Sequence, residues 1–212
     1  MINYWKCQHI NRGYYPGGTV DYENFSYIPI PKNSSSYMTT LLTLNGWEIY
    51  DFLSSNIQDK KFIVLLRDPV TRWISGISQY FCSYITEPNY SASDIIDLWD
   101  KTTESLVFDR IIFDDHTEKQ TYFISGIPIN QCTFFKSSTE LDSIIQKFLA
   151  ENSFNLDVDF SIDKNDSRES TDNLAFSIFF KELLLEKPHL VEKIKQTYKE
   201  DYNLINSINF YE

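Results

Sequence analysis

The sequence predicts an α/β protein, a parallel sheet flanked by helices with a helical carboxyl-terminal part, and three observations lead there. Two apolar runs, at Tyr27-Ile28-Pro29-Ile30 and Lys61-Phe62-Ile63-Val64-Leu65-Leu66, each give way to a polar turn and then to apolar residues at helical spacing. Runs of this kind suit strands covered on both faces. Two helical patterns, over 173–186 and 188–199, close the chain. The 212 residues suffice for one α/β domain, 1–212, with no internal repeat and no dividing linker.

Residues 1–24 are aromatic and glycine-rich, and Asn11 to Gly18 reads as loop. The first strand breaks at Pro29 and Pro31, presents Lys32-Asn33-Ser34-Ser35-Ser36, and enters a helix whose apolar residues are Tyr37, Leu41, Leu44 and Met38, Leu42. Backbone N–H groups at a helix start carry partial positive charge, so a lysine and hydroxyls there make an anion site in a P-loop-like arrangement. Serines also cap helices, and the same stretch reads equally as an ordinary capped helix. Asn45-Gly46 predicts the helix stop, and Trp47-Glu48-Ile49-Tyr50 a short strand with Glu48 exposed.

The second strand, at 61–66, ends in Arg67-Asp68-Pro69 before a helix with Val70, Trp73, Ile74, Ile77, Tyr80 and Phe81 on its apolar face. Proline suits a first helical turn because the N–H it lacks has no partner there. Arg72, Ser75, Gly76 and Gln79 lie opposite, so Arg67 and Ser75 are placed to share a second anion. Two anion sites at the carboxyl ends of neighbouring parallel strands describe a nucleotide with two separated phosphates.

Further along, helices are predicted around Ser93 to Glu104 and Leu106 to Phe113, followed by Asp114-Asp115 and His116. A carboxylate beside a histidine orients the ring and raises its pKa, which serves a base in one tautomer and a plain ion pair otherwise. Residues 120–124 and 132–136 read as short strands around a Gly126/Pro128 turn. Ser137-Ser138-Thr139-Glu140 reads as a capping box for a helix with Leu141, Ile144, Ile145, Phe148 and Leu149. The polar stretch 152–172, with Lys164, Asn165, Ser167 and Arg168, reads as a surface loop able to fold over a bound nucleotide.

Composition narrows the function classes. A hydrophobic content of 42% with 23% charged residues describes a folded globule. A net charge of −11 opposes a nucleic-acid partner and, less strongly, a polyanionic glycan. Cys7, Cys82 and Cys132 are widely spaced and match no metal pattern, which predicts reduced thiols. No stretch approaches the ~20 apolar residues of a membrane span, and the start lacks the features of a signal peptide, so a cytoplasmic location is expected. Asn33 heads a glycosylation sequon inside the proposed anion loop, which fits a chain that does not meet that machinery.

Lys32-Asn33-Ser34-Ser35-Ser36 resembles the 5′-phosphosulfate loop of the sulfotransferases that use 3′-phosphoadenylyl sulfate, and Arg67-Asp68-Pro69 through Arg72 to Ser75 resembles their 3′-phosphate motif. Asp115-His116-Thr117-Glu118-Lys119-Gln120 is similar to an Asp-x-His segment of the membrane-type and small bacterial or viral branches. Weaker similarity reaches Asn165-Asp166-Ser167 and Tyr198 to Tyr202. The resemblance implies sulfuryl transfer to an acceptor hydroxyl or amine, of a carbohydrate or small molecule, with no metal. It implies that Lys32 stabilises the leaving phosphate oxygen, that Asn33, Ser34, Ser35 and Ser36 hold the donor's 5′ end, and that Arg67 and Ser75 hold its 3′-phosphate. His116 leads as the group that takes the acceptor proton or positions the acceptor. Glu48 follows, because some branches carry a catalytic glutamate soon after the first helix.

Two other classes remain open. A P-loop kinase shares strand, loop and helix, but its loop needs Gly-x-x-x-x-Gly-Lys-Ser/Thr, whereas here Lys32 precedes the serines and no glycine lies between Thr19 and Leu44. A non-catalytic nucleotide-binding or interaction protein of the same fold would keep the loop without turnover. The acceptor and the oligomeric state are unassigned, although the aromatic amino terminus and the Tyr80 to Tyr90 stretch could line an acceptor pocket.

Overall fold

A computed structural model describes residues 18–50, 59–86, 90–152, 154 and 170–212. The readings made for Asn11 to Gly17, Cys7, Lys164, Asn165, Ser167 and Arg168 lie outside the described residues. The path begins β1 (Thr19–Tyr22), β2 (Phe25–Ile28), α1 (Ser35–Leu44), β3 (Glu48–Tyr50), β4 (Lys61–Leu66) and α2 (Pro69–Tyr84). It continues α3 (Ala92–Asp97), α4 (Lys101–Arg110), α5 (Gln120–Phe123), a 3-10 turn (Ile129–Gln131), β5 (Cys132–Lys136) and α6 (Leu141–Glu151). It closes with α7 (Thr171–Glu186), α8 (Pro188–Thr197) and α9 (Lys199–Ser207). The described residues form two compact units of interleaved segments, a sheet unit within 18–67, 120–154 and 204–212 and a helical unit within 68–119 and 170–203.

The sheet unit carries five strands in the order β3-β1-β2-β4-β5. β2, β4 and β5 are parallel neighbours, but β1 runs antiparallel to both β2 and β3. The sheet is therefore mixed, which corrects the expectation of a parallel one. The reason is a tight hairpin that the glycine-rich reading of the amino terminus did not contain: Glu23, in the left-handed region at φ 50, turns β1 into β2. The β4 run behaves as its composition demands, with Phe62 to Leu66 all buried. Its alternate side chains serve opposite faces. Ile63 and Leu65 pack with Tyr27, Met38, Leu41 and Phe148, while Phe62, Val64 and Leu66 pack with Ile28, Phe123 and Phe134.

Two local expectations in this unit change. Residues 120–123 are a helical turn rather than a strand, a case of tertiary contacts overriding the β-propensity of Thr121, Tyr122 and Phe123. The capping box at 137–140 does not form: α6 starts after Glu140 with no side-chain cap. Ser137 instead extends the β4–β5 ladder, donating its N–H to the Leu66 carbonyl at 2.8 Å. Asn45 and Gly46 do end α1, Gly46 at the positive φ of 83 that glycine adopts without strain.

In the helical unit, Asp68 caps α2 by accepting from the Thr71 N–H at 2.8 Å, with Pro69 in the first turn. The two helices expected over 93–104 and 106–113 divide earlier than expected, as α3 and α4, because Ser91 and Asp94 form a capping box for α3 and Asp100 caps α4 separately. A third carboxyl-terminal helix, α9, follows the two expected ones. Trp73, Phe81, Phe108, Phe176 and Phe180 form the centre of the core. The Trp73 indole also donates to the Ile111 carbonyl at 2.9 Å, so its one polar atom is satisfied where it is buried. No helix among the described residues is long and apolar enough to cross a membrane.

Candidate functional site

The loop between β2 and α1 stands at the carboxyl end of the parallel strands. Its backbone folds back sharply, with Lys32 at φ 67 and Ser34 at φ 59, both left-handed and neither a glycine. Ser34 occupies the N-cap position of α1 but makes no side-chain cap bond, and the first turn of α1 contains no acidic residue. A capping serine normally sits in extended backbone and accepts from the helix. The left-handed conformation turns the Ser34 hydroxyl away instead, to the Ser137 hydroxyl at 3.0 Å. The ordinary capped helix that the sequence also allowed is not formed at Ser34. The α1 N-terminus thus lacks a side-chain cap and is entered through Lys32, with Ser35 and Ser36 in its first turn, an arrangement suited to an anion.

The loop is held from behind by buried amides. Asn33 is fully buried, and its Nδ2 donates to the Leu65 carbonyl and to Gln120 Oε1, both at 2.7 Å. Gln120 Oε1 also accepts from the Arg67 N–H at 2.9 Å, and its Nε2 donates to the Arg67 carbonyl at 2.9 Å. The Arg67 guanidinium reaches the loop in turn, Nη1 donating to the Lys32 carbonyl at 3.2 Å. Lys32, Asn33, Ser34, Ser35, Ser36 and Arg67 are therefore brought to one edge of the sheet unit, as the sequence placed them. Gln120 was missed as a member. Its only sequence signal is its place at the end of the 115–120 segment, and a glutamine before β-forming residues reads as a strand start.

Glu48 is not brought there. It opens the edge strand β3, exposed, in register with Asp21, which faces Ser26, which faces Phe62. That row crosses the sheet toward the amino-terminal ends of β2 and β4, the end opposite the loop. Its carboxylate accepts from the Tyr50 hydroxyl at 2.6 Å.

In the helical unit, Ser75 is half-buried on α2. Arg72, placed by the sequence opposite the apolar face of α2, is buried and donates to the Asp115 carbonyl at 3.3 Å and to the Glu118 carbonyl. Burial lowers its pKa, with Tyr198, Asp201 and Glu118 opposing. Thr117 Oγ1 accepts from the Phe113 N–H at 2.7 Å, and the Tyr198 hydroxyl donates to the Thr117 carbonyl. Gly76 lets α2 approach, since a Cβ there would run into the His116 carbonyl.

This turn holds His116, whose Nδ1 lies 2.9 Å from Asp114 Oδ2 and 3.1 Å from Asp115 Oδ1. Burial pushes the ring's pKa down, but the hydrogen bonds to Asp114 and Asp115, with their charges, outweigh it and carry it up to about 9. The same bond from His116 holds the Asp115 carboxyl below its ordinary value. Near neutral pH the ring is an imidazolium, a donor with no lone pair for a proton. Of the two roles the sequence left open, base and positioning group, this ionisation suits positioning.

The sequence offered no ligand cluster for a metal, yet the ligand atoms of Asp114, Asp115 and His116 lie within 4.8 Å of one another. The ring nitrogen facing the carboxylates is the one a metal would have to claim from its proton. Comparison with protein-family models, with characterised proteins and with solved structures finds no match for this chain.

Proposed function

We propose that the chain binds 3′-phosphoadenylyl sulfate and transfers its sulfuryl group to a hydroxyl or amine of a carbohydrate or small molecule. The observation that carries the reading is the N-terminus of α1, which has no side-chain cap and follows directly on Lys32 and the Ser34-Ser35-Ser36 run, with Arg67 tied to the same loop. In the reaction the acceptor oxygen or nitrogen bonds to sulfur while the bond from sulfur to the 5′-phosphate oxygen breaks. The acceptor releases its proton to solvent, and 3′-phosphoadenosine 5′-phosphate leaves. Charge grows on that phosphate oxygen, where Lys32 and the helix N–H groups stabilise it. Positioning and charge stabilisation carry such transfers, as they do in phosphoryl transfer. Arg67 supplies positive charge for the 3′-phosphate. The sequence motif adds Ser75, and no step requires a metal.

Calorimetric titration with 3′-phosphoadenosine 5′-phosphate in the absence of magnesium tests this. The expected result is one-to-one binding that weakens about tenfold or more in Lys32→Ala and in Arg67→Ala, the loss typical of one charge-assisted contact. Absent binding, or an equal preference for ATP with magnesium, overturns the reading in favour of a kinase or a non-catalytic protein.

A further inference from the structure

We propose that Gln120 is a positioning residue, a buried amide clasp that sets the separation between the Lys32–Ser36 loop and Arg67, and with it the spacing of the two anionic groups of a bisphosphorylated ligand. The inference rests on the donor reading above and adds to it the device that selects for two phosphates rather than one.

Four residues close a hydrogen-bonded circuit. Asn33 Nδ2 donates to Gln120 Oε1 at 2.7 Å, Gln120 pairs with both the N–H and the C=O of Arg67 at 2.9 Å, and Arg67 Nη1 returns to the Lys32 carbonyl at 3.2 Å. Lys32 and Asn33 are adjacent in the chain, so the ring has no loose end. Both clasping amides, Asn33 and Gln120, have 0% exposure, although the loop residues around them are partly exposed.

A glutamine is the side chain this geometry requires. Its amide meets Arg67 as the peptide of another strand would, accepting from the N–H and donating to the C=O where β4 ends. A glutamate would set a carboxylate oxygen against the Arg67 carbonyl. An apolar residue would leave the buried ends of the pair without partners. The circuit also accounts for a lysine in left-handed backbone at φ 67, a conformation that persists only where its surroundings over-determine it. Lys32 and Arg67 are the cations of the proposed site, and the clasp ties the backbone of Arg67 to that of the loop through the Gln120 and Asn33 amides.

The test compares Gln120→Met, close in length and without the polar atoms, with the unaltered chain in titrations of 3′-phosphoadenosine 5′-phosphate and adenosine 5′-phosphate. The expected result is a preference for the bisphosphate that falls about tenfold in the variant, the effect of about one hydrogen bond on the separation, with a smaller change toward the monophosphate. An equal loss toward both nucleotides would make Gln120 merely structural and overturn the proposal. Asn33→Ala, which cuts the strap to the loop and leaves the Gln120–Arg67 pair, serves if the first variant does not fold, with the same two outcomes.

Amide hydrogen exchange separates this proposal from the donor reading. If the unaltered chain binds neither nucleotide, the donor reading fails. The clasp then stands if the Arg67 N–H exchanges slowly and loses that protection in Gln120→Met, and falls if its exchange is fast or unchanged.

Discussion

The loop after β2 and the turn over Phe113 to Glu118 are both short polar segments with buried supports, and they resolve their hydrogen bonding in opposite ways. The turn has its hydrogen bonds closed inside the protein. Its own Thr117, and Arg72 and Tyr198 packed against it, engage its N–H and C=O groups, and His116 pairs with two carboxylates. The loop directs its buried amides backward, to Leu65 and Gln120, and leaves the helix start ahead of it uncapped. Self-satisfied polar turns are rigid and specify a fold. A helix start without a side-chain cap, entered through left-handed backbone, is the feature on which the proposed anion site rests. The difference lies in where the hydrogen bonds go and not in residue type, since both segments are rich in polar and charged groups.

The largest way to break the contrast is to remove the turn's support. Arg72→Met leaves the Asp115 and Glu118 carbonyls without their donor, and unpaired buried acceptors cost about 1–3 kcal/mol each. A loss of about 2–4 kcal/mol in chemical denaturation is expected, with donor affinity in the sheet unit read separately by the titration above. A loss under about 0.5 kcal/mol would show that the turn does not depend on it.

The ionisation of His116 sharpens the comparison. Its pKa is about 9 in the folded chain against an ordinary 6.5. Because the folded value is the higher one, the pair's contribution to stability is fully present below about pH 6.5 and is lost as the pH rises through about 9. Denaturation midpoints should therefore fall across that window, and His116→Gln should flatten the fall. A ring that titrates near 6.5 by NMR would contradict it.

The smallest effect concerns strain. At φ 67 an alanine carries a steric penalty that glycine does not. Lys32→Gly should be more stable than Lys32→Ala by up to about 1 kcal/mol, while both lose donor binding alike. Equal stabilities would place Lys32 outside the left-handed region in solution.

Much of the frame was legible because it depends on neighbours in sequence. The β4 run, the Pro69 helix start, the Asn45-Gly46 stop and the stripe of α6 each rest on local pattern. The β1 strand was not, since four residues beside a glycine-rich stretch carry too little alternation to register. Asp100, inside the helix expected over 93–104, was not legible as the cap that separates α3 from α4. Of the site, Lys32, Ser34 and Arg67 could be named from their motifs, and Gln120 could not, because nothing around it in the chain states what its amide meets.

By itself the sequence determined the order of strand, polar loop and helix, the apolar content that buries β4, and the residue types at the loop. Tertiary structure alone decided whether α1 is capped, because the Ser34 hydroxyl pairs with Ser137, 103 residues away. It alone decided that Glu48 stands at the far edge of the sheet, through the reversed direction of β1. It alone gave His116 its charge, through burial and two carboxylates held at bonding distance. Local pattern reports what a residue offers, whereas direction, partner and ionisation depend on what the fold brings opposite it.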